Sequence, residues 1–133
     1  MKKTLALVLL LAIALLAFAS CSEPLPELWE SATYTKDTTV GEGKTSFDIE
    51  IATDEMSITL TVKTDKETVG EALYELGLIN DPTFFDTVNG MQLVWEDTHA
   101  YWAFYVNDAY ALVGVGETVI SSSDSYKLVC TKG

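Results

Sequence analysis

Residues 100–110 read AYWAFYVNDAY, and the way their rings alternate decides the fold. Successive side chains of a strand point to opposite faces, so Trp102, Phe104 and Val106 share one side while Tyr101 and Tyr105 share the other. A strand with one wet face alternates apolar with polar residues. This one carries rings on both faces. Trp102 and Phe104 are expected to face a helix and build core. The tyrosines admit two readings. In one they pack across strands, with Tyr110 as a partner. In the other, Tyr101, Tyr105 and Tyr110, beside the polar tip Asn107-Asp108, form a platform that stacks on a flat macrocycle or anchors a protein. Tyr101, Tyr105, Asn107 and Tyr110 are therefore the candidate ligand-binding residues.

Downstream, Val106-Asn107-Asp108-Ala109 suits a tight hairpin leading into a strand from Ala109 to Val113. Gly114 and Gly116 suggest a bulge or a close approach. Ser121-Ser122-Ser123-Asp124 reads as a solvated turn before a last strand, Ser125 to Thr131. There Cys130 alternates with Leu128 and Tyr126 as a small apolar residue.

Upstream, TSFDIEIA (45–52) and SITLTVK (57–63) alternate with period two, and Thr53-Asp54-Glu55 suits the turn between them. The period then changes. Thr68-Val69-Gly70-Glu71 is a capping box: the Thr68 hydroxyl can accept from the residue 71 amide, and the Glu71 side chain can reach back. Val69, Ala72, Leu73 and Leu76 share a helical face, and Gly77 suits the left-handed residue that ends such a helix. Asn89-Gly90, set between apolar residues, signals a hairpin after which Met91, Leu93 and Trp95 share a face. His99, the single histidine, precedes the aromatic strand in a polar loop. Without a second nitrogen or sulfur donor beside it, a solvated loop residue is the better reading than a metal or cobalt ligand.

The beginning of the chain has the layout of an export signal. Lys2 and Lys3 precede an uncharged apolar run from Leu5 to Phe18, which gives way to Ala19 and Ser20. Those 14 residues fall short of the roughly 20 that cross a hydrocarbon core. Phe18-Ala19-Ser20-Cys21 resembles a bacterial lipoprotein signal, which implies that Cys21 receives lipid and becomes the mature N-terminus. The expected organisation is a signal peptide over 1–20, a lipidated flexible spacer over 21–44, and a folded domain over 45–133. The protein would then sit lipid-anchored on the extracytoplasmic face of the cell membrane.

Charge narrows the partners. The chain holds 20 acidic residues against 8 basic ones, for a net charge of −12. Loss of Lys2 and Lys3 with the leader would make it −14. Nucleic-acid binding needs a basic face that displaces condensed counterions, so nucleic acid is excluded as a partner. If Cys21 carries lipid, Cys130 is the one remaining thiol of the 2 cysteines, and the domain must stand on its core without an internal disulfide. No nucleophile elbow, phosphate loop or paired metal motif is present. The expected class is a non-catalytic binding or interaction module.

TVGEALYELGLI, VNGMQLVW, AYWAFYVNDAYALVGVGETVI and YKLVCTK, in that order, resemble the bacterial transcobalamin-like C-terminal domain family, related to the β-domain of transcobalamin and intrinsic factor. The resemblance covers residues 45–133. It implies an α+β domain, β-grasp-like, with one short helix on an antiparallel sheet, found on exported or surface-anchored proteins. In the eukaryotic relatives this domain closes over cobalamin held by a separate, larger helical domain. A corrinoid such as cobalamin is therefore the expected small ligand, and a protein-interaction or adhesion surface is the alternative.

Overall fold

A computed structural model of the chain describes residues 26–133. The leader and Cys21 lie outside these residues. Among those described, no helix is long and apolar enough to cross a membrane.

The strands are β1 (Thr38–Gly41), β2 (Thr45–Ala52), β3 (Ser57–Thr64), β4 (Thr87–Val88), β5 (Met91–Gln92), β6 (Ala100–Val106), β7 (Ala109–Tyr110) and β8 (Tyr126–Lys132). Six of them form one sheet in the order β1-β3-β2-β8-β6-β7, and β4 and β5 make a separate hairpin. The architecture is α+β, with helix α1 (Val69–Glu75) and a single helical turn, α2 (Trp95–Thr98). The sheet is mixed and not purely antiparallel as expected. β1 runs parallel to β3 and β2 parallel to β8, because β8 is reached only after the chain has crossed the helix-bearing face.

Alternation explains the layering. Phe47, Ile49 and Ile51 of β2 lie opposite Val62, Leu60 and Ile58 of β3. Ile49 and Ile51 also lie beside Tyr126 and Leu128 of β8, and Leu128 pairs with Phe104 of β6. All are buried, so one face of the sheet is continuously apolar. Facing outward, Lys127 bridges to Glu50 at 3.7 Å and to Asp108 at 3.5 Å. On the apolar face lie α1, through Val69, Ala72 and Leu73, and the β4–β5 hairpin, through Val88 and Met91. The expected N-cap is present, but the Glu71 carboxylate reaches back to the Thr68 hydroxyl and not to the Thr68 amide. The Glu71 amide donates to Thr68 Oγ1 at 3.2 Å and the Thr68 hydroxyl donates to Glu71 Oε1 at 3.0 Å. Gly77 ends the helix at φ 69°.

The spacer reading of residues 26–44 is corrected by the structure. Pro26–Ser31 is a 3-10 helix whose Trp29 is only 7% exposed and donates its indole N–H to Thr53 Oγ1 at 2.7 Å. Thr38–Gly41 is the edge strand β1. Low periodicity in this segment reflects attachment through a few side chains and one short strand. Asn89 is the principal attachment, fully buried with φ 53°. Its side-chain amide donates to the Tyr34 carbonyl and its Oδ1 accepts from the Tyr34 N–H, each at 2.9 Å. Its backbone carbonyl accepts from the Thr33 amide at 2.9 Å.

Two further expectations change. Trp95 does not join Met91 and Leu93 in the core but opens α2 and is exposed. The strand expected over 109–113 ends at Tyr110, and that early ending creates the site described next.

Candidate functional site

A chain leaving β7 could continue alongside β6, but it is drawn away by the start of α1. The Val69 amide donates to the Thr118 carbonyl and the Ile120 amide to the Glu67 carbonyl, each at 2.9 Å. The approach is possible because of two glycines. A Cβ on Gly70 would lie 2.5 Å from the Pro82 carbonyl oxygen and 2.9 Å from Gly116 Cα, closer than packed carbon atoms come. The expectation of a close approach at Gly116 is thus met, and its partners are Gly70 and Pro82.

Segment 111–115 therefore diverges from β6 after one further hydrogen bond, from the Ala111 amide to the Phe104 carbonyl at 3.0 Å. Opposite it stands the loop 80–86, fixed by its own side chains. Asp81 Oδ1 accepts from the amides of Thr83 and Phe84 at 2.8 and 2.9 Å. Asn80 Oδ1 accepts from the amides of Asp86 and Thr87 at 3.1 and 3.2 Å. The two amide hydrogen bonds, that from Phe84 first, hold the Asp81 carboxyl below its ordinary pKa.

Between the diverging segment and this loop lies a cavity of about 550 Å³, lined by Phe84, Phe85, Tyr101, Trp102, Phe104 and Tyr110 among others. A second hollow of about 290 Å³ shares Phe85, Asp86, Tyr101 and Trp102 with it and extends toward Trp95 and Glu96. Together they form one cleft along β6. Its floor is anchored, since Trp102 donates its indole N–H to the Met91 carbonyl at 3.2 Å. Its rim is apolar and exposed: Leu112 is 100% exposed, Phe84 87% and Tyr110 60%. The charged groups lining the two hollows are Asp86 and Glu96, with no cation among them.

The rings on two faces of one strand are now accounted for. Trp102 and Phe104 point to the core side, and Tyr101 and Tyr110 lie on the other. Because β6 is open at its edge here, both sets reach the same cleft. The Tyr110 hydroxyl, as a hydrogen-bond partner, pushes the Tyr101 phenol above its ordinary pKa, and desolvation adds to this.

Of the residues expected to bind ligand, Tyr101 and Tyr110 meet in the cleft. Tyr105 does not line it. It packs edge-on against Tyr110, ring centres 5.6 Å apart, the cross-strand pair anticipated from sequence. Asn107 lies elsewhere and is occupied with the turn. Its Nδ2 donates to Asp124 Oδ1 at 3.0 Å and its Oδ1 accepts from the Ser125 amide at 2.9 Å. Phe84, Phe85, Asp86 and Leu112 were not anticipated. Two adjacent phenylalanines in the turn-rich stretch NDPTFFD (80–86) were the available signal, since rings in a polar loop have no helical or strand period to satisfy.

His99 adopts φ 51° as the residue ending α2, with its ring edge-on to Trp95 at 5.5 Å. Cys130 is half-buried, and desolvation raises its thiol pKa, with Asp54 adding to the effect and Lys132 opposing it. Among the described residues there is no group of three His, Cys, Asp or Glu side chains placed to hold a metal ion.

Neither protein-family models nor curated proteins give a match to this chain. Among solved structures, a "putative metal binding protein" from Ruminococcus gnavus superposes with a TM-score of 0.61 at 16% identity, over 68% of this chain and 99% of that one. The two share a fold. At that identity the likeness extends to the arrangement of helix and sheet and not to the side chains of a site.

Proposed function

We propose that this chain is a non-catalytic ligand-binding module of the transcobalamin β-domain-like, β-grasp-like kind, lipid-anchored through Cys21 on the extracytoplasmic face of the membrane. The observation that carries the reading is the ring-lined cleft along the open edge of β6. Its volume lies within the range of small-molecule sites, which are concave, mostly apolar and furnished with few polar groups. Phe84, Tyr101 and Tyr110 can stack on a flat ligand, and no side chain in the cleft is arranged as a nucleophile with its base. The family resemblance makes cobalamin or another corrinoid the first ligand to test.

A calorimetric or visible-absorbance titration of the purified protein with cobalamin tests the corrinoid assignment. Saturable binding that weakens about tenfold or more in Tyr101→Ala supports it, in line with loss of an aromatic anchor. No interaction up to millimolar concentration removes cobalamin as the ligand. Intact-mass measurement of membrane-extracted protein tests the anchor, which fails if the chain starts before residue 21 or carries no lipid. The alternative reading, docking of a partner protein, is favoured by the exposed apolar rim of Phe84, Tyr110 and Leu112.

A further inference from the structure

The alternation of β6 fixes which of its backbone groups face the cleft. The Asn107 amide donates to the Ser125 carbonyl and the Gly133 amide to the His99 carbonyl, both at 2.8 Å. Odd-numbered residues of β6 therefore direct their N–H and C=O toward β8. Even-numbered residues direct theirs the other way, as the bond from the Ala111 amide to the Phe104 carbonyl shows. β7 occupies that side only beside Tyr105 and Val106. The Trp102 N–H, the Trp102 C=O and the Phe104 N–H consequently have no hydrogen-bond partner among the described residues.

Such an edge is a template for another strand, and proteins ordinarily blunt it with lysine, proline, a bulge or a covering loop. Here β6 carries no charge or proline from Ala100 to Val106, and the flanking loops part around the edge. We propose that the cleft accepts an extended peptide segment of a partner protein, which adds a strand to β6 by pairing with the backbone of Trp102 and Phe104. The inference rests on the cleft being the recognition site and adds the chemistry of its occupant.

The character of that peptide follows from the walls. Strand addition draws affinity from main-chain hydrogen bonds and specificity from pockets for alternate side chains. The pockets here are aromatic, which calls for apolar side chains at every second position. The cleft's charged groups are the carboxylates of Asp86 and Glu96, and the chain as a whole carries −12. Charge complementarity therefore calls for lysine or arginine between or beside the apolar residues.

The test uses a random seven-residue peptide library displayed against the purified full chain, with the enriched peptide resynthesised as the probe. Enriched peptides should alternate apolar residues and carry a lysine or arginine. On binding, the Trp102 and Phe104 amides should gain protection from hydrogen exchange. N-methylation of the probe should weaken binding about tenfold to hundredfold at the one position whose N–H meets the Trp102 C=O, and little at the positions beside it. Glu96→Lys, an exposed change, should weaken cation-bearing probes about three- to tenfold. Failure to enrich any peptide, or equal tolerance of N-methylation at all positions, overturns strand addition. If the bound probe perturbs Phe84, Tyr101 and Tyr110 without that single sensitive position, strand pairing alone falls. If it perturbs residues elsewhere, the reading of the cleft as recognition site falls with it.

Discussion

Replacing Asn89 by Ala should cost far more than an ordinary loop substitution, because its side chain is the principal fastening of residues 26–36 to the rest of the domain. Its amide makes both of the 2.9 Å hydrogen bonds to the Tyr34 backbone, and its main chain holds φ 53°. Leaving the Tyr34 N–H and C=O without partners costs about 1–3 kcal/mol for each group that stays shielded from water. Placing alanine in the left-handed region adds about 1 kcal/mol. Since Tyr34 is only half-buried and water can replace part of the loss, the lower part of the range applies, giving about 3–4 kcal/mol in all. For a domain of this size that corresponds to a fall in Tm of about 10–20 °C. Asn89→Gly separates the two contributions, because glycine adopts the left-handed conformation freely. It should recover about 1 kcal/mol of the loss and no more. Urea unfolding followed by tryptophan fluorescence, with hydrogen exchange at the Tyr34 amide, measures both. A loss below about 0.5 kcal/mol in Asn89→Ala, the scale of an unremarkable surface change, or unaltered protection of the Tyr34 amide, would refute the attachment.

Two other expectations concern the walls of the cleft. Gly70→Ala should destabilise the fold by about 2 kcal/mol or more, since the added methyl has backbone on both sides and overpacking costs of that order are usual; calorimetric melting checks it, and a wild-type Tm would show that the walls yield freely. Asp81 should titrate below the ordinary aspartate value, as read by its side-chain carbonyl resonance. Because its folded pKa is depressed, the stability it lends the 80–86 loop is present above the unfolded pKa and is lost as pH falls through the lower folded one. Loop amides at Thr83 and Phe84 should accordingly exchange faster in acid than the intrinsic rate accounts for.

Much of the fold was legible because it is local. The period-two runs 45–52 and 57–63, the Thr68 capping box, the left-handed Gly77 and the turns at Asn89-Gly90 and Asn107-Asp108 each declare themselves within a few residues. The inward placing of Trp102 and Phe104 and the Tyr105–Tyr110 pair follow from the same alternation. What escaped was non-local. Residues 26–44 look like a spacer because their attachments, Trp29 to Thr53 and Tyr34 to Asn89, join distant parts of the chain. The parallel pairing of β2 with β8 depends on a crossover that no short pattern encodes. The cleft itself exists because the contact of Gly70, Gly116 and Pro82 pulls residues 111–115 off β6. Sequence offered a surface platform of Tyr101 and Tyr110 as one of two readings, and their meeting with Phe84 needed the three-dimensional approach of two loops.

If recognition happens at this cleft, its exposed rim must carry affinity. Phe84 and Tyr110 are 87% and 60% exposed, so truncating them removes contact surface and little core. The measurement is the affinity of Phe84→Ala/Tyr110→Ala for cobalamin and for the selected peptide, taken alongside its Tm. The double variant should keep a Tm within about 3 °C of wild type, as for exposed substitutions, and lose about tenfold or more in affinity for whichever ligand binds. Wild-type affinity for that ligand in a folded double variant would contradict it.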